Sequence, residues 1–211
     1  MKIGILGAGR MGGNIGTVLA RAGHAVVFSY SRSASRLQAL ARNAGPGAKA
    51  GTVHEAAQAD VVLLAVHWSR LDDVLAQAGT LAGKVVLTCC VPLNEADTEL
   101  VVAHQQSGAE VLARRLPQAL VVATFQTTPS EVLLPVYERR EQAVRPNLLY
   151  CSDEPAARRV AVALISDAGF APEDAGPLRI ARYIEPFAML TAQLAYGGRS
   201  GPELTYRFER Y

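Results

Sequence analysis

The glycines of Gly7-Ala8-Gly9-Arg10-Met11-Gly12 follow directly on a short apolar run, Lys2-Ile3-Gly4-Ile5-Leu6. No other stretch restricts the possible folds of this chain as strongly. The spacing is G-x-G-x-x-G, in which each glycine has a separate role. Gly7 turns the chain tightly out of a strand, Gly9 leaves backbone open to a pyrophosphate, and Gly12 lets a helix pack close to the strand. Downstream, Met11, Ile15, Val18 and Leu19 recur at helical spacing, and Gly23 marks a stop. His24-Ala25-Val26-Val27-Phe28 then reads as a second strand. Strand, glycine turn, helix and strand within about thirty residues is the context in which this pattern holds a dinucleotide. Amides at the helix N-terminus face the phosphates with partial positive charge. Arg10 and Met11 open that helix.

The end of the second strand bears on which dinucleotide. A carboxylate about twenty residues after the glycine loop bonds the ribose 2′-hydroxyl in NAD-specific folds. Here the region reads Ser29-Tyr30-Ser31-Arg32-Ser33-Ala34-Ser35-Arg36, with no acid. Arg32 and Arg36 flank small hydroxyl residues such as Ser31, a pattern that suits a 2′-phosphate, because arginine offers two parallel donors to phosphate oxygens. The other reading makes both arginines solvated residues at the start of a helix over Ser33–Ala41. The missing acid favours NADP as the cofactor.

The remaining pattern alternates strands and helices. A strand is expected near Ala48–Ala50, and a helix over Val53–Ala59. Asp60–Val66 is a continuous apolar run of the kind found in a central parallel strand buried on both faces. His67-Trp68 comes at its carboxyl end, where open α/β sheets bind ligands. That places Val66 and His67 beside the nicotinamide, although His67 equally suits a helix cap. A helix over Leu71–Leu81 and a strand over Lys84–Cys90 come next, ended by Val91-Pro92. Pro92 is assigned to the cofactor site with them. Gly108–Arg115 reads as helix and Ala119–Ala123 as strand, delivering Gln126 and Thr127 at another carboxyl end. These two suit polar recognition of a substrate heterocycle, or the capping of the next segment. Asn147–Tyr150 is a late strand, and Asp153 is the expected N-cap of a helix over Glu154–Asp167. A small strand over Phe170–Asp174 precedes a helix over Leu178–Tyr196 with two apolar stripes, Tyr183/Phe187/Leu190/Leu194 and Ile180/Ile184/Ala188. Such a helix needs cover, from the sheet and from a second subunit.

The fold class is therefore α/β: a Rossmann-type doubly wound parallel sheet with a small C-terminal helical lobe. Residues 1–150 form the NADP-binding domain. Residues 151–211 complete the substrate pocket and a homodimer interface. With 21 basic and 19 acidic residues in 211, the chain has no strong charge bias towards nucleic acid or anionic membrane. No apolar run is long enough to cross a bilayer, and the N-terminus lacks a signal-peptide layout. A cytoplasmic protein acting on a small molecule is expected. Cys89, Cys90 and Cys151 lack C-x-x-C spacing and read as small buried hydrophobes, with a redox role for Cys151 as the alternative. The four histidines show no metal-ligand spacing, so no metal site is assigned.

The whole chain resembles the NADP-dependent oxidoreductases that act on the deazaflavin coenzyme F420. The resemblance rests on Gly7–Gly12, Ser31-Arg32, Asp60–Trp68, Val85–Leu93, Ala123–Pro129, Asp174-Ala175-Gly176-Pro177-Leu178, Arg182 and Glu185. It implies NADP on the glycine loop and the Ser31-Arg32 pair, nicotinamide against Val66-His67, a deazaflavin between the sheet's carboxyl edge and the C-terminal lobe, and a dimer. Two departures touch the substrate. The family's Ile-Pro-Trp is Val66-His67-Trp68 here, and its His-Thr-Ile-Pro is Gln126-Thr127-Thr128-Pro129. The same architecture serves flavin-linked NADPH reductases, among them cytosolic domains of membrane metalloreductases, so FMN or FAD stands beside F420 as co-substrate.

Direct hydride transfer between two stacked rings asks a protein mainly for position, so no catalytic acid or base is nominated. Two rival readings remain. One is an NADP-dependent reductase of a small metabolite, of the pyrroline-carboxylate, imine or β-hydroxyacid kind. The absence of lysine after Lys84 counts against the last of these. The other is a non-catalytic module that senses NADPH.

Overall fold

The computed structural model describes Met1–Tyr211. Along the chain come β1 (Lys2–Leu6), α1 (Arg10–Arg21), β2 (Ala25–Ser29), α2 (Ala34–Ala44), β3 (Ala48–Ala50), α3 (Val53–Ala57), β4 (Val61–Leu64) and α4 (Leu71–Ala78). They are followed by β5 (Val85–Thr88), α5 (Gly108–Arg115), β6 (Leu120–Thr124), α6 (Leu133–Glu138), β7 (Asn147–Cys151), α7 (Pro155–Asp167), β8 (Ala171–Asp174) and α8 (Ala181–Tyr196). All eight strands form one sheet in the order β3-β2-β1-β4-β5-β6-β7-β8. The first six are parallel and in doubly wound order. The sheet is not wholly parallel, because β7 runs antiparallel to β6 and β8 then pairs parallel with β7.

Strand alternation divides the core into two layers. On β1, Ile3 and Ile5 join a cluster on one face of the sheet while Leu6 joins the other; on β4, Val61 and Leu63 oppose Val62 and Leu64. Helices α1 and α7 cover the first face with Ile15, Val18, Leu19, Leu164 and Ile165. Helices α3, α4 and α5, and the start of α8, cover the second. Each of these aliphatic side chains contributes about 1.5–3 kcal/mol by leaving water. That burial explains the unbroken apolar runs in the sequence, which periodicity alone leaves ambiguous between strand and helix.

Several ends differ from the sequence reading. Asp153 does not cap α7. Glu154 holds the N-cap position without a side-chain bond, and the Asp153 carboxylate instead accepts from the Leu178 amide at 3.0 Å. The cap is unnecessary because Ser152 Oγ accepts from the Glu154 amide and Pro155 supplies no donor. Leu178–Ile180 is a 3-10 turn, and α8 begins at Ala181. A short helix, α6, occupies a stretch to which the sequence reading assigned no element. Only one of the two apolar stripes of α8 is covered: Ile184 and Ala188 are buried, whereas Tyr183, Leu190 and Leu194 are exposed. After α8 the chain returns to β7. There the Tyr206 carbonyl accepts from the Asn147 amide, and Phe187, Tyr206 and Phe208 pack edge to face at 5.4 Å.

Candidate functional site

Two depressions open along the carboxyl ends of the parallel strands and share one wall. The first is a groove of about 560 Å³ over the ends of β2, β1 and β4. Gly7, Gly9, Ser31, Arg32, Arg36, Val66 and His67 line it, together with Tyr30 and Arg70. The second is a cleft of about 380 Å³ running from the start of α1 to α8. Arg10, Met11 and Gln126 line it, together with Cys89, Cys90, Met189 and Tyr196. Gly9, Ala65, Val66 and His67 belong to both.

The glycine loop explains the groove. Gly7 has φ +114°, and a Cβ there would lie 2.3 Å from the Ala65 carbonyl oxygen. A Cβ on Gly12, which is buried beneath the loop, would lie 2.0 Å from the Gly7 oxygen. Only glycine permits this turn and this approach. A Cβ on Gly9 would meet nothing within 4 Å, so the space above it is free for a ligand. Gly9 is the N-cap of α1 and provides no side-chain bond, leaving the first-turn amides available. By contrast α3 and α5 have complete capping boxes, from Thr52 with Glu55 and from Ser107 with Glu110. The uncapped helix end, the empty space above Gly9 and the absence of acids in the loop fit an anionic diphosphate.

The cationic rim lies beyond β2. Ser33 caps α2, its Oγ accepting from the Arg36 amide at 3.3 Å, which leaves the Arg36 side chain on the groove. Arg32, Arg36 and Ser31 are at its solvent side. Tyr30 precedes them in the left-handed region with φ +57°, a conformation rare for a bulky residue. Arg70 was missed in the sequence. Its one signal was position, a single helical turn beyond His67 at the β4 end.

His67 has two structural roles. It caps the 3-10 turn Trp68–Arg70, with Nδ1 accepting from the Ser69 amide at 3.2 Å, and it forms part of the wall between groove and cleft. Because Nδ1 accepts, Nε2 carries the proton, 3.2 Å from both the Asn94 carbonyl and an Asp97 carboxylate oxygen. Pro92 is buried and absent from the lining; its neighbours Val91 and Leu93 are the ones that reach the cleft.

The cleft is more apolar. Burial pushes the Cys90 thiol up, and the Cys89 thiol well up, so neither is a ready thiolate. Gln126 is buried in the wall, its Nε2 donating to the Cys90 carbonyl at 3.0 Å while Oε1 has no partner. Gln126 lies against Glu185, whose carboxyl burial pushes up to about 7 despite bonds from the Gly108 and Ala109 amides. The Gln126 side chain adds to those bonds in opposing the shift. Thr127, the other sequence-assigned substrate residue, faces away from the cleft. It is buried, and its hydroxyl bonds Tyr206 Oη at 2.6 Å. Phe125, directly after β6, has a left-handed φ of +62°. At the cleft mouth, Glu131 joins both ends of the wall, accepting from Tyr196 Oη at 2.8 Å and pairing with Arg10 at 3.4 Å.

Residues 2–92, the part of the chain that builds the groove and half the cleft, match the family described as NADP oxidoreductase coenzyme F420-dependent. A crystal structure from Arthrobacter sp. FB24, provisionally described as an F420-dependent NADP-reductase, superposes with a TM-score of 0.86 over 100% of both chains at 23% identity. The rat metalloreductase STEAP3 is 28% identical over 186 residues. This match takes in 87% of the chain but only 36% of the rat protein's length. An Aspergillus terreus reductive aminase in complex with NADPH and ethyl-5-oxohexanoate shares the fold at 17% identity and a TM-score of 0.67, over 92% of this chain and 61% of that one. The similarity to the F420-dependent NADP oxidoreductase family thus rests on the amino-terminal residues, while the likeness of fold extends over the whole chain. No helix is long and apolar enough to cross a membrane.

Proposed function

We propose that the chain binds NADP(H) in the groove and exchanges a hydride with a flat conjugated heterocycle, the deazaflavin F420 or a flavin, held in the cleft. One observation carries this reading. The polar, cationic groove and the apolar cleft share Gly9, Ala65, Val66 and His67, so ligands in the two meet face to face at that wall. NADPH, when bound, supplies the hydride from its nicotinamide ring. The chain supplies position. Gly9 and the first-turn amides of α1 take the diphosphate, and Ser31, Arg32 and Arg36 take the 2′-phosphate. Val66 and Ala65 present an apolar surface to the nicotinamide. Met11, Met189, Val91 and Leu93 line the cleft and exclude water from the meeting point.

Residues 151–211 complete this arrangement as a small lobe, since α8 lends Ala188, Met189 and Tyr196 to the cleft. The exposed row of Tyr183, Leu190 and Leu194 carries the accompanying proposal of a homodimer, which light scattering tests. A second enzymatic reading, reduction of a small imine or carbonyl compound, is favoured by the His67–Asp97 pair, which puts polar groups on the otherwise apolar cleft wall.

The test is a panel of acceptors (F420, FMN, FAD, a cyclic imine) offered with NADPH while nicotinamide absorbance is followed. Oxidation of NADPH with F420 or a flavin supports the proposal. Turnover with the imine alone favours the second reading. Tight NADPH binding with no turnover favours a binding module.

A further inference from the structure

We propose that Arg70 is the opposing cation of the 2′-phosphate site, and that Tyr30 keeps the groove cationic by holding the Asp73 carboxylate away from Arg70. The inference rests on the reading of the groove as a dinucleotide site.

Three guanidinium groups face this groove from two sides. Arg32 and Arg36 come from the segment after β2, and Arg70 from the segment after β4. In the sheet β1 lies between those strands, so the two sources stand on opposite rims. None of the three forms an ion pair: the nine ion pairs of the chain use other cations. Exposed arginines commonly find acidic partners, and Arg70 has two within reach along its own chain, Asp72 and Asp73, in the first turn of α4.

Both acids are engaged elsewhere. Asp72 pairs with Arg115 from α5. Asp73 accepts from Tyr30 Oη, and also from Gln77 Nε2 at 3.2 Å. The Tyr30 bond holds the Asp73 carboxyl below its usual range, with Gln77 and Arg70 adding to the effect. Arg70 is therefore near enough for Asp73 to feel its charge, yet not paired with it. Tyr30 makes this contact from the left-handed backbone position that turns the chain out of β2. Such a conformation persists in a bulky residue only where the surroundings hold it, and it is concentrated at binding sites. Freed from Tyr30, Asp73 would neutralise Arg70 or repel a phosphate dianion.

The experiment compares NADPH, NADH and adenosine 2′,5′-bisphosphate by calorimetry on the full chain and on Arg70→Ala, Tyr30→Phe and Tyr30→Phe/Asp73→Asn. Arg70→Ala should weaken the two 2′-phosphorylated ligands about tenfold and leave NADH within about twofold. Tyr30→Phe should weaken them about threefold, and Asp73→Asn in that background should restore them. The rescue separates electrostatics from packing, because Phe retains the ring and Asn retains the shape. Arg70 is exposed and thermal melts accompany each titration, with Arg70→Met as a second variant. Equal weakening of NADPH and NADH by both Arg70 variants, or no rescue by Asp73→Asn, overturns the inference while leaving the dinucleotide reading intact. Failure of the parent chain to bind any of the three ligands overturns both.

Discussion

The groove and the cleft meet at Val66, but the chain builds them differently. The groove takes its walls from Gly7 to Arg70, the segments just beyond three neighbouring strands. Its side chains are exposed and charged, and its floor is backbone. The cleft takes residues from the starts or ends of α1, β4, β5 and β6 and from α8, which lies more than a hundred residues beyond Arg70. Its walls are largely half-buried or buried, and more apolar than those of the groove. The first is a local device that a short sequence specifies. The second exists only once the whole sheet has closed and α8 has docked.

If this division holds, substitutions should separate into three kinds. The largest effect is expected on the shared wall. Gly9→Ala adds a methyl group that touches nothing in the folded chain, so its melting temperature should stay within a few degrees. The same methyl occupies the approach of the diphosphate, and calorimetry should show NADPH and NADH both weakened by about 3 kcal/mol. Unchanged affinity would show that no ligand closes on this loop. Next comes Arg32→Ala, which should weaken NADPH by about 2–3 kcal/mol, leave NADH nearly unaffected and leave the KM of the second substrate alone. In the cleft, Gln126→Leu removes one bond to the Cys90 carbonyl together with one unpartnered oxygen. It should raise the acceptor KM by about 1 kcal/mol without moving NADPH affinity, as steady-state kinetics would show. A change in NADPH affinity of the same size would break the comparison.

A separate effect concerns pH and the stability of the fold rather than binding. Two neighbouring carboxyls shift in opposite directions: Arg182 holds Glu110 down at about 2, and burial pushes Glu185 up to about 7. Glu110 stabilises the fold above its ordinary value near 4.5, and this contribution is lost as pH falls towards 2. Glu185 keeps an extra proton in the folded state, so its contribution is complete below about 4.5 and is lost as pH rises through 7. Denaturation series should show stability falling between pH 5 and 7 by at most about 1.4 kcal/mol per pH unit from this one group. Glu185→Gln should flatten that limb and Glu110→Gln the acid limb. An unaltered slope in Glu185→Gln would place the titrating group elsewhere.

This contrast also governs what the sequence could disclose. Gly7, Gly9, Gly12, Ser31, Arg32 and Arg36 were legible because backbone geometry and charge there depend on neighbours in the chain. The strands were legible from their apolar runs, which burial on both faces demands. Arg70 was not, since its side chain acquires meaning only when β4 lies beside β1. Met189 and Tyr196 carried no local signal for the cleft at all. Thr127 was assigned to it with Gln126 as a polar residue at the carboxyl end of β6, but its hydroxyl is taken by Tyr206, which is distant in sequence. Asp153 had the right type for a cap, but the Leu178 amide, distant in sequence, took its oxygen.

The shared wall at Gly9, Ala65, Val66 and His67 has a kinetic corollary. If the groove and the cleft hold the two proposed reactants at once, neither must depart before the other arrives. Turnover should then proceed through a ternary complex, with intersecting rather than parallel lines when initial rates are plotted reciprocally against both reactants.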